Sequence, residues 1–491
     1  MATKQFANRS KARARPDLAR RRAWPVDKIG IGVAAVFAAL VALGGGSARH
    51  DIASLIYLRP VAFLAIMWAV LTMMPDAWRR LPFPFYVLLG LAIACLLQLV
   101  PLPPSMWVRL PHRDVVHDID AMVGLQDLWR SISLVPGRTW NAFFALGVPV
   151  ATFLLLAGRV EQLRARVLQA VVAIGMVSMA LGFLQVIGGE GSAFYTYGVH
   201  TEGQPVGLFA NRNHQGAFLA IVIVICAILI ARINDNERSA GLRATIYGGV
   251  IVLIVPFVLV LGSRAGLLLS LIALVAAQFI ALRSPWIEQQ AARFRKRAGA
   301  GWRAGRLRVL QLAGVVLALA LAALLAYLNA DNEALDRLAA GGEESAFSRS
   351  AVFPTLLRMA QDFFPWGSGF GSFDSVFGFY ETRAVLSPFY LNQAHNDWLQ
   401  PIIEGGVLSL VVMMLFFAWL ANTTLRALRG DDPRMRTEQL GLLLCLVLAG
   451  AASLVDYPVR VPIFMMVLAA VCALLSETTP QTGQTRKGAA A

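Results

Sequence analysis

Apolar residues in this chain gather into long blocks separated by short polar stretches. The blocks run over 29–45, 52–74, 83–100, 139–157, 167–187, 214–231, 244–261, 265–282, 309–328, 402–421, 439–455 and 461–476. Each lies near the roughly 20 residues that about 30 Å of hydrocarbon requires, with 29–45 and 461–476 among the shorter ones. In hydrocarbon every backbone amide must be satisfied internally, so the expected form of each block is a helix. A membrane β-barrel would instead need alternating ten-residue strands, and none are present. The pattern predicts an all-α, polytopic integral membrane helical bundle of about twelve transmembrane helices.

The polar stretches then set an orientation. With the N-terminus placed in the cytoplasm, 31 of the 44 lysines and arginines fall in loops on that side, whereas 18 of the 29 acidic residues fall on the other. Positive loops stay inside, so both termini are expected in the cytoplasm of a multi-pass protein of the cell inner membrane. This distribution also changes the meaning of the formal charge of +15. The charge is a topogenic signal with some attraction to anionic membrane lipid, not a nucleic-acid footprint. At 57% hydrophobic and 15% charged residues the chain is far too apolar for soluble domains, which carry roughly 25% charged residues. Arg20, Arg21 and Arg22 precede a segment that reads as a signal anchor rather than a cleaved signal peptide. Cys95, Cys226, Cys445 and Cys472 lie in or beside the blocks without paired spacing and read as small packing residues. The expected divisions are a basic cytoplasmic tail at 1–28, an N-terminal transmembrane region with its periplasmic loop at 29–138, a membrane domain at 139–476, and a disordered cytoplasmic tail at 477–491.

Chemistry is expected on the face opposite the basic loops. Three segments there are long enough to build a site, 101–138, 188–213 and 329–401, the last being the largest. Within it a short amphipathic helix is expected over 348–361, with Ser348 as N-cap. Gly367, Gly369 and Gly371 lack the preceding strand and following helix of a nucleotide loop. The run from Gln393 to Gly406 packs His395, Asn396, Asp397, Trp398 and Glu404 into the approach to a span. An imidazole exchanges protons near neutral pH, so His395 can take one from a sugar hydroxyl. An interfacial histidine beside an anchoring tryptophan explains the same residues equally well.

Arginines are the second feature. Arg212, Arg264 and Arg460 each stand at a helix end, on the side that should be poor in positive charge. A guanidinium so close to hydrocarbon costs a few kcal/mol unless paired or hydrated, and its forked donors match a phosphate. Several converging would receive a lipid-linked diphosphate. Snorkelling, or a salt bridge such as Asp456 with Arg460, accounts for any one of them alone.

Five stretches together resemble the O-antigen ligase and Wzy-type polysaccharide polymerase superfamily. They are Gly207 to His214, Gly262 to Gly266, Arg349 with Asp362 to Phe373, Ala394 to Gly406, and Ser453 to Pro462. They span about 130–476 in the family's order, and the His395-Asn396-Asp397 block with its Glu404-Gly405-Gly406 is the most specific. Trp398 stands where many relatives have tyrosine. The resemblance implies that 139–476 is a ligase- or polymerase-like membrane domain with a large periplasmic loop at 329–401. It also implies a metal-independent glycosyltransferase, without cofactor, working on the periplasmic face. Such an enzyme moves a glycan from an undecaprenyl-diphosphate carrier to an acceptor glycan or lipid A-core, as in O-antigen ligation or exopolysaccharide polymerisation, with polysaccharide assembly proteins as further partners. Carried over by position, His395 would be the catalytic base and Arg212 and Arg264 would bind the diphosphate. Arg349, Asp397, Glu404, Asp456 and Arg460 would support them. The rival reading is a transporter or flippase of lipid-linked oligosaccharide. Against it, Arg59 is the only charged residue well inside a block, and polar chemistry collects at one surface rather than at the midplane. A non-enzymatic scaffold leaves the His and Arg clusters unexplained.

Overall fold

A computed structural model describes residues 26–189, 191–198, 203–234, 238–298, 349–381 and 391–477. Among them eight helices are long and apolar enough to cross a membrane: Leu55–Thr72, Pro136–Leu156, Val160–Gly188, Arg212–Ala231, Ala240–Val260, Arg264–Ala281, Gln400–Arg429 and Pro433–Ala452. Three shorter apolar helices, Lys28–Gly44, Phe83–Gln98 and Pro462–Ser476, coincide with further predicted blocks. The remaining block, 309–328, lies outside the described residues, as do most of the basic tail, Ser348 and the tail from residue 478. The amphipathic helix expected over 348–361 is found at Arg349–Asp362. The only strands among the described residues are two-residue pieces that pair antiparallel, Pro101 with Ser131 and Leu102 with Arg130. The molecule is a polytopic helical bundle.

The Arg212–Ala231 helix is its axis. Every side from His214 to Ile230 is buried, which fits a helix that is apolar all round. The Arg264–Ala281 helix packs against it backbone to backbone. A Cβ placed on Gly216 would lie 2.8 Å from the Gly266 Cα, an approach that only paired small residues allow.

The ends of the bundle are held differently. At one end the buried Arg164 guanidinium donates to Glu438 Oε1 at 2.9 Å, and Arg232 pairs with Glu438 Oε2. These residues come from three loops that the charge count places together on the cytoplasmic side. At the other end the linker after the first helix is stitched into the centre of the molecule. The Gly46 carbonyl accepts from Ala210 N at 3.1 Å, and the Gly45 carbonyl accepts from Ile463 N at 3.0 Å.

The 101–138 segment and the end of the third apolar helix brace the same end. Gln98, fully buried, donates through Nε2 to the carbonyls of Trp366 (3.1 Å) and Glu404 (2.9 Å) and accepts from Phe370 N (2.9 Å). Buried Arg113 donates to the carbonyls of Ile132 at 2.7 Å and Gly367 at 3.0 Å. The glycines around 367 thus serve packing: the turn lies directly against the backbone at Glu404 and Gly405. There the Gln400–Arg429 helix is broken at Gly406, whose φ of 54° and ψ of −133° suit no residue with a side chain.

Candidate active site

Four sequence-distant segments build the site. The Arg212 helix is capped by Asn211, whose side chain accepts from Asn213 N, and the Arg264 helix by Ser263, whose side chain accepts from Gly266 N. Asn213 ties the two starts to a third element. Its Oδ1 accepts from Ser263 Oγ at 2.8 Å, while its Nδ2 donates to Asp456 Oδ2 at 2.7 Å. Arg212 and Arg264 are the first residues of their helices, and neither first turn holds an acidic residue. A helix N-terminus already carries positive partial charge. Two such ends clasped together, each opened by an arginine, form a positive locus suited to an anion.

Asp456 is the centre of the cluster. It is buried, and its Oδ1 lies 3.2 Å from His395 Nδ1 and 3.4 Å from His214 Nε2. The first is a hydrogen bond; the second is an ion-pair distance without hydrogen-bond alignment. Oδ1 also accepts from Tyr457 N at 3.0 Å, and Asn211 Nδ2 adds a longer bond to Oδ2 at 3.3 Å. Burial opposes the charge on Asp456, but the imidazoles of His214 and His395 outweigh it and hold the carboxyl well below the usual carboxylate range. Both imidazoles meet the Tyr457 ring edge-on, each at 4.9 Å between centroids. Burial, reinforced by the Asp456 charge, pushes the Tyr457 phenol up to about 12, so it stays protonated at neutral pH.

A carboxylate facing Nδ1 fixes the histidine tautomer. In the neutral imidazole, Nδ1 carries the proton and donates it to Asp456, and the lone pair is then on Nε2 of His395. His395 is half-buried and holds a φ of 49°. A non-glycine residue there costs on the order of 1–3 kcal/mol and is found where surrounding contacts impose the shape for a purpose.

The acidic residues of the His395 block face Arg460. Its Nε donates to Asp397 Oδ1 at 3.0 Å and its Nη1 to Glu404 Oε2 at 3.4 Å. Asp397 also accepts from Ser453 Oγ at 3.2 Å and Val459 N at 3.1 Å. Arg460 therefore pairs with Asp397 and Glu404, not with Asp456, the partner considered from sequence; Asp456 lies on the histidine side of the same loop. Arg349 opens its helix, and its side chain lies outside the described residues. Of the expected residues, the structure brings together two adjoining clusters, His395 with Asp456 and Arg460 with Asp397 and Glu404, with the Arg212 and Arg264 backbones at their edge. Sequence reasoning missed His214, Asn211 and Asn213 as site residues, although they stand in the block that carries Arg212. A histidine and two carboxamides opening an otherwise apolar helix were the available signal.

Comparison with known families matches residues 249–414 to the family described as O-antigen ligase. The match takes in Arg264, His395, Asp397 and Glu404, about a third of the chain, and stops before the Asp456 loop. No curated protein matches the chain.

Proposed function

Starting from an O-antigen ligase region at residues 249–414, we propose that the protein transfers a glycan from an undecaprenyl-diphosphate carrier to an acceptor hydroxyl on the periplasmic face of the inner membrane. The observation that carries this reading is the His395–Asp456 pair beside the clasped starts of the Arg212 and Arg264 helices. In the transfer, the acceptor oxygen attacks the anomeric carbon, the bond from that carbon to the diphosphate oxygen breaks, and the hydroxyl proton passes to His395 Nε2. Asp456 stabilises the imidazolium so formed. The diphosphate leaves with its lipid, and its growing negative charge is met by Arg212, Arg264 and the two helix ends, fixed before the reaction begins. Asp397, Glu404 and Arg460 hold the loop on which Asp456 and the chain on which His395 sit.

The test is expression of Arg264→Ala and His395→Ala in a strain deleted for the protein, followed by gel analysis of lipopolysaccharide and secreted polysaccharide. Loss of product at wild-type levels of inserted protein is expected; wild-type product from inserted Arg264→Ala removes that arginine from the mechanism. In the deletion strain, full-length polymer left on the carrier marks a ligase, and carriers holding single repeat units mark a polymerase. Labelled lipid-linked glycan that crosses a proteoliposome bilayer without any new glycosidic bond would favour a flippase.

A further inference from the structure

A cleft of about 350 Å³ opens between the start of the Leu55–Thr72 helix and the start of the Pro136 helix, lined by His50, Arg59, Arg138, Trp140, Asn141 and Phe144. It lies outside the stretch matched to the O-antigen ligase family. Arg59 is its distinctive feature. It sits one turn inside an apolar helix, where an ionisable residue signals function unless it is paired. No carboxylate among the described residues pairs with it, its Nε is buried without a hydrogen-bond partner, and its charge rests over the Phe144 ring at 6.0 Å. Arg138 uses one nitrogen on Asp374 at 2.9 Å. Among the described residues, none that lines the cleft is acidic.

The surroundings place the cleft at the bilayer boundary. Trp140 stacks on Phe144 at 5.7 Å, Phe144 meets Phe63 edge-on, and Trp140 and Phe63 are exposed. Aromatic clusters of this kind mark the interface at headgroup level. A second, narrower cavity shares Arg59, Asn141 and Phe144 with the first and reaches Arg460. Through Arg460 the cleft touches the same network that holds Asp397 and Glu404. A group seated over Arg59 is thus delivered toward the His395 end of the bundle from the lipid side.

We propose that the Arg59 cleft binds a phosphate monoester carried on a lipid, with the forked Arg59 guanidinium as its principal ligand and His50 and Arg138 at its rim. Phosphate fits better than a neutral sugar because the lining joins cations to aromatic rings, and a doubly charged group compensates a guanidinium set in an apolar helix. The phosphate can belong to a glycolipid acceptor or to a phospholipid of the surrounding leaflet whose headgroup is itself a monoester, as in phosphatidic acid; the acceptor assignment rests on the transfer reading above, whereas the site itself does not.

The experiment is native mass spectrometry of the full-length protein released from phosphatidylcholine nanodiscs doped with one probe at a time: lipid A bearing its phosphates, the same lipid A dephosphorylated, or phosphatidic acid. Wild type is expected to retain the phosphorylated probes at least about tenfold better than dephosphorylated lipid A, and Arg59→Gln to lose that preference. Arg59→Lys, which keeps the charge but not the fork, is expected to retain part of it and guards against a folding defect in the glutamine variant. His395→Ala is expected to retain the lipid fully, so failure of the transfer mechanism and failure of this site read out separately. Tighter retention of phosphorylated lipid A than of phosphatidic acid identifies an acceptor, and equal retention identifies the leaflet; both uphold the site. Equal retention of phosphorylated and dephosphorylated probes, or equal retention by wild type and both Arg59 variants, overturns it.

Discussion

Asp456 decides the chemistry of the site at the scale of single residues. Its carboxyl is held below the ordinary range, so its contribution is present above the unfolded carboxylate value of about 4 and is lost only as pH falls through the still lower folded value. Between pH 7 and 5 Asp456 therefore stays charged, so any loss of transfer over that window is expected to come from a group other than Asp456. Asp456→Asn keeps the shape but removes the charge that stabilises the imidazolium. Transfer should fall by roughly 100-fold or more, with a changed pH profile and little change in expression. An unaltered profile in this variant would remove Asp456 from the proton transfer. His395 was legible in the sequence because its whole block is contiguous. The pairing with Asp456 was not, because the partner lies 61 residues away across two membrane helices, and nothing in local spacing selects Asp456 over Asp397.

Helices and turns bring those residues into register, and here the least conspicuous side chains matter most. The Gly216–Gly266 contact sets the spacing of the two helices that begin with Arg212 and Arg264. Gly216→Leu has no room to be accommodated, so its thermal unfolding in detergent should come well below wild type, with transfer lost. A wild-type melting temperature would contradict this packing. Gln98 connects the N-terminal helices to the turn at Trp366–Phe370 and to the helix break after Glu404. Gln98→Leu strands the Trp366 carbonyl and the Phe370 N–H and leaves the Glu404 carbonyl with only its bond from Gly369 N, a cost of about 2 kcal/mol or more, again measured as a drop in melting temperature. Among the described residues the apolar blocks announced the helices with little error, since hydrocarbon imposes length and composition directly. They carried no signal for Gln98, whose partners are backbone atoms some 270 residues along the chain.

Two ends with opposite characters emerge at the scale of the whole molecule. Arg164, Arg232 and Glu438 close one end, and the histidines, carboxylates and helix starts occupy the other. Loops that the charge count assigned to one side do meet at one end, so the grouping of loops was readable without any motif. Which end faces the periplasm can be checked by labelling, because all four native cysteines are buried. A cysteine introduced as Val459→Cys should react with a membrane-impermeant maleimide in intact spheroplasts, and one introduced as Asp431→Cys only after permeabilisation; the reverse pattern would invert the topology. The N-terminal region, which offered no motif, proves to form one wall of this end through Gly45, Gly46 and Gln98. The central claim is that His395, oriented by Asp456, moves a glycan from a lipid diphosphate. It is tested most directly with purified protein in proteoliposomes supplied with undecaprenyl-diphosphate-linked glycan and acceptor, scoring new glycosidic bonds for wild type and His395→Ala. Transfer by wild type, reduced by about 100-fold or more in the variant, is the predicted result; equal transfer by the two proteins would contradict it.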